Sequence, residues 1–268
     1  MRINMNSNDI KNIKLFLLDM DGTIYLDDRL FDGVIEFLDC IKKRGGKYIF
    51  LTNNSSKSVD KYIEKLARLG IGSDKDDFLT STDATIVRLR ADKYKKIYAF
   101  GTESFKEQLR DSGLVITDRL EDDIDCLCMG FDTELTFKKL EDACILANRG
   151  AKWIATNPDW VCPTWYGYVP DCGSVSEMLT RATGRKPIFI GKPQPEMPML
   201  VMKKYGFEPS ETAVVGDRVY TDIACGKNAG INSVFVLSGE GTKDDFEKFG
   251  ITPDFVYATI NDLYKEYK

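Results

Sequence analysis

The chain has no histidine among its 268 residues. That absence removes Ser-His-Asp and Cys-His catalysis, histidine-ligated zinc and histidine proton shuttles in one step. Acid–base work must fall to Asp, Glu, Lys, Tyr or Cys. No apolar run is long enough to cross a bilayer, and residues 1–11 are polar, without the apolar centre of a secretory signal. A cytoplasmic protein with no membrane partner is therefore expected. Long basic runs are also missing and the formal net charge is −5, which argues against a nucleic-acid partner. An anionic ligand would need local lysines, backbone amides or a metal ion to offset that charge. The seven cysteines are odd in number and scattered, which fits reduced thiols better than a disulfide framework. Cys126 and Cys128 are two apart, not Cys-x-x-Cys, and read as packing residues on one strand face. Internal repeats and low-complexity tracts are absent.

What is present is an ordinary folded composition, 43% apolar and 29% charged, long enough for one large domain or two unequal ones. The organising stretch is Leu15-Phe16-Leu17-Leu18-Asp19-Met20-Asp21-Gly22-Thr23. An apolar run closed by two acids and a glycine reads as a buried strand that stops where chemistry begins. Asp19 and Asp21 then project from one side, a pleat apart. Such proximity is tolerable if a divalent cation neutralises them, or if one holds a proton while the other stays ionised. Either condition suits an aspartate nucleophile beside an acid–base aspartate. An Asx-type turn would use the same residues for backbone reasons alone.

Further along, Val34, Phe37, Leu38 and Ile41 recur at helical spacing before Gly45-Gly46. A second apolar run, Tyr48-Ile49-Phe50-Leu51, ends in Thr52-Asn53-Asn54, and another amphipathic helix carries Tyr62 and Leu66 to Gly70. Strand–helix alternation at these lengths predicts parallel β-α-β units, whose ligands bind beyond the strands' carboxyl ends. Residues 83–182 repeat the alternation with strands at 97–100, 126–129 and 153–156, and are expected to form a second α/β domain inserted into the first. Residues 160–173, rich in Pro, Gly and aromatics, read as an ordered loop. The first domain is expected to resume with Pro187-Ile188-Phe189-Ile190, a strand leading to Lys192 between Gly191 and Pro193, followed by Thr212-Ala213-Val214-Val215-Gly216-Asp217 and Asp222. Closing strands are expected near 234–237 and 255–257.

Taken singly, each of these polar strand ends is explicable as a turn, a solvated lysine or a helix-capping acid. Together they supply three carboxylates for a hard cation, a hydroxyl and amides for phosphoryl oxygens, and one lysine for charge. That inventory matches phosphoryl transfer, in which positioning and charge neutralisation do nearly all the catalysis.

Asp19-Met20-Asp21-Gly22-Thr23, Thr52-Asn53-Asn54, Lys192-Pro193 and Gly216-Asp217 with Asp222 resemble the four motifs of the haloacid dehalogenase-like hydrolases. Their order, and the insertion between the second and third motifs, resemble the subfamily of NagD-type sugar phosphatases, p-nitrophenylphosphatases, and phosphoglycolate or pyridoxal phosphate phosphatases. The resemblance covers essentially the whole chain. It implies an α/β fold: a Rossmannoid parallel-sheet core in three α/β/α layers, residues 1–82 plus 183–268, with a C2-type α/β cap at 83–182. It also implies a magnesium-dependent hydrolysis of small phosphorylated metabolites through an aspartyl phosphate. On that reading Asp19 is the nucleophile and Asp21 the acid–base residue. Mg2+ would be held by Asp19, the backbone carbonyl of Asp21 and Asp217, with Asp222 orienting this shell. Thr52, Asn53 and Lys192 would bind the phosphate.

For the cap, the resemblance implies a substrate-facing loop formed by Asn157 and Asp159 with Asp171, Cys172 and Gly173, although a structural turn without substrate contact is an equal reading. In many relatives the second stretch reads Pro-Gly-x-Gly; Asp171 stands at the first glycine position here, which questions the backbone path. Trp160, Trp165, Tyr166 and Tyr168 are expected to fill the cap core rather than line a pocket. Pairing of caps in a homodimer is compatible with this reading. The alternatives are a phosphotransferase or phosphomutase using the same intermediate, and a receiver-like signalling module or non-catalytic phosphate-binding protein. A receiver module needs only one short uninterrupted domain, and all the reactive side chains of an enzyme are present.

Overall fold

A computed structural model describes residues 9–164 and 166–268. Trp165 and residues 1–8 of the N-terminal stretch lie outside the described residues. No helix among the described residues is long and apolar enough to cross a membrane. The chain forms two compact units. The first comprises residues up to Thr52, Asp60–Leu79 and Lys192–Lys268, and the second Asn53–Val59 with Thr80–Gly191. The sequence reading set the crossings at 82/83 and 182/183.

The first unit is built on a six-stranded sheet in the order Phe255–Tyr257, Asn232–Val236, Thr212–Gly216, Leu15–Leu18, Lys47–Thr52, Phe78–Thr80. Leu15–Leu18 is parallel to both its neighbours, pairing Leu15 with Thr212 on one side and with Lys47 on the other. All four of its residues are fully buried, so an uninterrupted apolar run is what a central parallel strand requires. From this strand the chain steps outward to Lys47–Thr52 and Phe78–Thr80. From Thr212–Gly216 it steps outward the other way. Strand order therefore reverses between Leu15–Leu18 and Thr212–Gly216, and right-handed crossovers place the connecting helices Val34–Lys43 and Ala224–Ala229 on opposite faces. A crevice opens at such a reversal, at the strands' carboxyl ends.

Packing beneath the central strand is aromatic. Phe16, Phe37 of the helix Val34–Lys43 and Tyr267 of the helix Ile260–Tyr267 meet edge-on, with centroids 5.0–5.7 Å apart. Each ring is essentially inaccessible, and burial of a side chain this size contributes about 1.5–3 kcal/mol. This cluster fixes the strand from below and leaves its carboxyl end to polar residues.

The second unit has its own five-stranded sheet, in the order Ile188–Phe189, Lys152–Ala155, Cys126–Met129, Ile97–Phe100, Ile116–Thr117, with every pairing parallel. Its core includes Tyr98, Phe100, Leu127, Met129, Leu146, Trp153 and Leu179. One expectation is corrected here. Ile188–Phe189, read as a strand of the first domain leading to Lys192, pairs instead with Ile154 and Ala155 at the edge of the second sheet. An apolar pair satisfies either sheet edge, and the preceding helix Cys172–Thr183 delivers it to this one. Residues 160–173, expected as a loop, contain an antiparallel hairpin, Val161–Thr164 against Gly167–Pro170. Trp160, Tyr166 and Tyr168 are 52%, 63% and 60% exposed and do not fill the unit's core.

Candidate active site

Asp19 directly follows the central strand, and its N–H donates to the Val215 carbonyl at 2.9 Å, extending the ladder by one residue. Met20 is buried, and its carbonyl accepts from the N–H groups of Thr23, Ile24 and Tyr25. The chain thus turns sharply after Asp19. Asp217 and Asp222 sit beyond the neighbouring strand Thr212–Gly216, both almost wholly buried. Ligand oxygens of Asp19, Asp217 and Asp222 lie within 4.8 Å of one another.

Lys192, also buried, places its ammonium in this group. Its Nζ donates to Asp19 Oδ1 at 2.5 Å, to Asp222 Oδ1 at 2.6 Å and to the Leu51 carbonyl at 3.3 Å. Although its strand was misassigned, its side chain reaches Asp19, the carboxylate it was expected to neutralise; the contact with Asp222 was not anticipated. The site's electrostatics follow from burial. Desolvation holds the Asp19 carboxyl well above the usual carboxylate range; Lys192 opposes this, while Asp222 and Asp217 add to it. Burial, then the Asp222 charge, pushes Asp217 up to about 6. For Lys192 burial acts downward, but attraction to Asp19 and Asp222 outweighs it and the ammonium is held above its ordinary range.

The glycines of the motifs make room for these carboxylates. A Cβ on Gly22, whose φ is +85°, would lie 2.5 Å from Asp217 Oδ2, and one on Gly239 only 2.0 Å from the same oxygen. The loop after the strand Asn232–Val236 therefore closes directly on Asp217: the Glu240 N–H donates to Oδ2 at 2.7 Å, and Ser238 Oγ donates to the Gly22 carbonyl. Sequence reading missed this loop. Its signal was present, since Ser238-Gly239-Glu240-Gly241 is a further small, polar strand end.

Three carboxylates against one ammonium leave two formal negative charges in excess. Asp217 Oδ1 is buried without a hydrogen-bond partner among the described residues. A donor set of hard oxygens with an orphaned carboxylate oxygen fits a divalent cation of the magnesium or calcium type. Asp21 stands apart from this triad. Its carboxylate is half exposed, with Tyr25 Oη donating to Oδ2 at 3.4 Å and Lys65 Nζ 3.8 Å from Oδ1. Neither Tyr25 nor Lys65 was anticipated.

Residues 16–115 match the family model for haloacid dehalogenase-like hydrolases, and residues 189–263 match a HAD-hydrolase-like model. An acid sugar phosphatase of Staphylococcus saprophyticus is 31% identical over 96% of this chain and 99% of its own. The chain belongs to the haloacid dehalogenase-like hydrolases. Among solved structures, a 4-nitrophenylphosphatase from Thermotoga maritima is 41% identical, with a TM-score of 0.91 over 97% of this chain and 99% of that one. A glycerol phosphate phosphatase of Mycobacterium tuberculosis, solved in complex with magnesium, is 28% identical, with a TM-score of 0.88 over 96% and 78% of the two chains.

The remaining expected site residues of this haloacid dehalogenase-like hydrolase are buried. Thr52 ends the strand Lys47–Thr52 and is 6% exposed. Asn53, the next residue, groups with the second unit, as do Asn157, Asp159, Asp171, Cys172 and Gly173. Within that unit Asn53 Nδ2 donates to Asp159 Oδ2 at 2.9 Å, and Asn157 Nδ2 donates to the same oxygen at 2.9 Å and to Asp171 Oδ1 at 3.1 Å. Asp171 is the N-cap of the helix Cys172–Thr183, in ordinary extended conformation at φ −102°, so no glycine is needed there. The glycine that packing demands is Gly173, where a Cβ would fall 2.1 Å from the Pro158 carbonyl oxygen.

Proposed function

We propose that this hydrolase is a magnesium-dependent phosphatase of small phosphate monoesters, in the class of sugar, glycerol or aryl phosphates, working through an aspartyl phosphate on Asp19. The observation that carries the reading is the Lys192 ammonium, 2.5 Å from Asp19, inside a carboxylate triad with charge left over for a divalent cation. The named relatives act on esters of this kind.

In this reading Asp19, Asp217 and the backbone carbonyl of Asp21 would hold the metal, with Asp222 supporting them. When bound, the cation neutralises charge on the nucleophile and the phosphoryl oxygens. Asp19 attacks phosphorus through a carboxylate oxygen while Asp21 delivers a proton to the departing alkoxide. Asp21, now ionised, then takes a proton from the water that opens the acyl phosphate. Lys192 remains protonated throughout, held so by its two carboxylate partners, and with Thr52 and Asn53 it binds the phosphoryl group. The inserted unit acts as a C2-type cap.

Multiple-turnover release of inorganic phosphate from p-nitrophenyl phosphate with Mg2+, abolished by chelation and by Asp19→Asn, is the expected result. Turnover retained in a folded Asp19→Asn protein would refute the nucleophile assignment. Transfer to an added alcohol in preference to water would make the chain a phosphotransferase.

A further inference from the structure

We propose that Asp159 is a positioning residue for phosphate recognition, acting through Asn53; this rests on the reading of Asn53 as a phosphate-binding residue. The case is one of burial. Asn157 and Asp159 are 0% and 3% exposed and Asp171 is 4% exposed, so these side chains are spent inside the second unit rather than presented to a substrate. Of the three, Asp159 contacts Asn53, 106 residues away in sequence.

Asp159 Oδ2 accepts from both carboxamides, Asn53 and Asn157, at 2.9 Å. Asn157 is fixed in turn. Its Nδ2 also donates to Asp171, and its Oδ1 accepts from Thr156 Oγ1 at 2.8 Å. Thr156 Oγ1 lies 2.9 Å from Ser55 Oγ, which accepts the Phe131 N–H. Ser81 Oγ donates to the Asn53 carbonyl at 2.7 Å. Asn53 is thus clamped at its carbonyl and at its carboxamide by residues of the second unit, immediately after Thr52 closes the strand Lys47–Thr52. A buried carboxylate that accepts two carboxamide donors is a charge-assisted clamp, and removing it takes one acceptor from each of them. The orientation of Asn53 toward a phosphoryl oxygen is then set by Asp159, which itself touches no substrate.

The test is a double-mutant cycle on the full chain with magnesium. Phosphate affinity is read as the competitive inhibition constant of inorganic phosphate against p-nitrophenyl phosphate, and independently by calorimetry with inorganic phosphate alone. Asp159→Ala is expected to weaken phosphate binding and raise KM about tenfold, with kcat changed less, the size typical of coupled contacting residues. Asp159→Asn, which keeps an acceptor oxygen without the charge, is expected to lie between wild type and the alanine variant. In an Asn53→Ala background either substitution is expected to cause less than about twofold further loss, because the group it orients is gone. A general packing role predicts losses that multiply, and that result overturns the inference. Wild-type phosphate affinity in every folded Asp159 variant also overturns it, and Asp159→Asn serves alone if the alanine protein fails to fold. If Asn53→Ala binds phosphate as wild type does, the phosphate-binding reading of Asn53 falls with it. If Asn53→Ala is impaired but the losses multiply, only the Asp159 inference falls.

Discussion

Lys192 Nζ lies 2.5 Å from Asp19 Oδ1, joining the residue before Pro193 to the end of a strand 173 positions earlier. The ammonium also bonds Asp222, and all three groups are largely removed from water. Breaking a buried ion pair from one side leaves uncompensated charge, which costs about 3–5 kcal/mol. Lys192→Met is therefore expected to lower unfolding stability by about that amount and to cut turnover by about 10²–10³, the loss usual for one electrostatic contact to a transition state. Urea unfolding and steady-state turnover measure the two effects. A Lys192→Met protein with wild-type stability would show that the pair is not formed in solution.

Gly239 is the second point of leverage. A methyl group there would meet Asp217 Oδ2 at 2.0 Å, and the loop cannot yield without disturbing the Glu240 N–H bond to the same oxygen. Gly239→Ala should raise the magnesium concentration needed for half-maximal activity by about 10–100-fold, the range for lost supporting contacts at metal ligands. Turnover at saturating magnesium should recover most of its wild-type value. A variant with unchanged magnesium dependence would mean that the loop does not set the position of Asp217.

These residues differ in how far their positions could be read in advance. Asp19 and Asp217 were legible because each closes an apolar run and a parallel sheet has one carboxyl rim. Lys192 was picked out by its motif but given the wrong strand, since Ile188 and Phe189 carry no information about which sheet edge they join. Trp160, Tyr166 and Tyr168 misled because aromatic bulk normally signals burial, whereas a two-stranded hairpin has too little beneath it to bury every ring. The convergence of Asn53 with Asp159 was beyond reach. It depends on how a second sheet is threaded, which no local pattern encodes. Asp171 illustrates the opposite case, in which a departure from a family pattern put the backbone path in question and the structure shows an ordinary N-cap.

The pH dependence of metal binding follows from Asp217. Burial and Asp222 push its carboxyl up to about 6, against an ordinary 3.8. In the metal-free protein the folded state keeps a proton that the unfolded chain has already released between those values. This group's contribution to stability is thus fully present below about pH 4 and is lost as pH rises through 6. A bound cation requires the bare carboxylate and displaces that proton. The rise in Tm caused by magnesium should therefore be small at pH 5, grow through pH 6 and level off above pH 7. Calorimetry in buffers of different ionisation enthalpy should register proton release near pH 5.5. A magnesium shift as large at pH 5 as at pH 7.5 would contradict the assignment of Asp217 as a ligand.

Asp21 supplies the last test, because the identity of the leaving group reports on general acid catalysis. Lys65 Nζ lies 3.6 Å from the centroid of the Tyr25 ring and 3.8 Å from Asp21 Oδ1, so one cation touches both the Asp21 carboxylate and the phenol that bonds it. If this contact orients Asp21 for proton delivery, its removal should slow formation of the aspartyl phosphate, the step read by kcat/KM, only where the departing oxygen needs a proton. A p-nitrophenolate leaves without help; the alkoxide of glycerol or a sugar does not. Lys65→Met should therefore depress kcat/KM for glycerol phosphate by about tenfold or more, within the range that positioned acids contribute, and leave kcat/KM for p-nitrophenyl phosphate within about twofold. Lys65→Arg, which retains the charge and the ring contact, should restore most of the loss. Equal reductions on both esters would assign Lys65 to packing of its helix instead of to the acid.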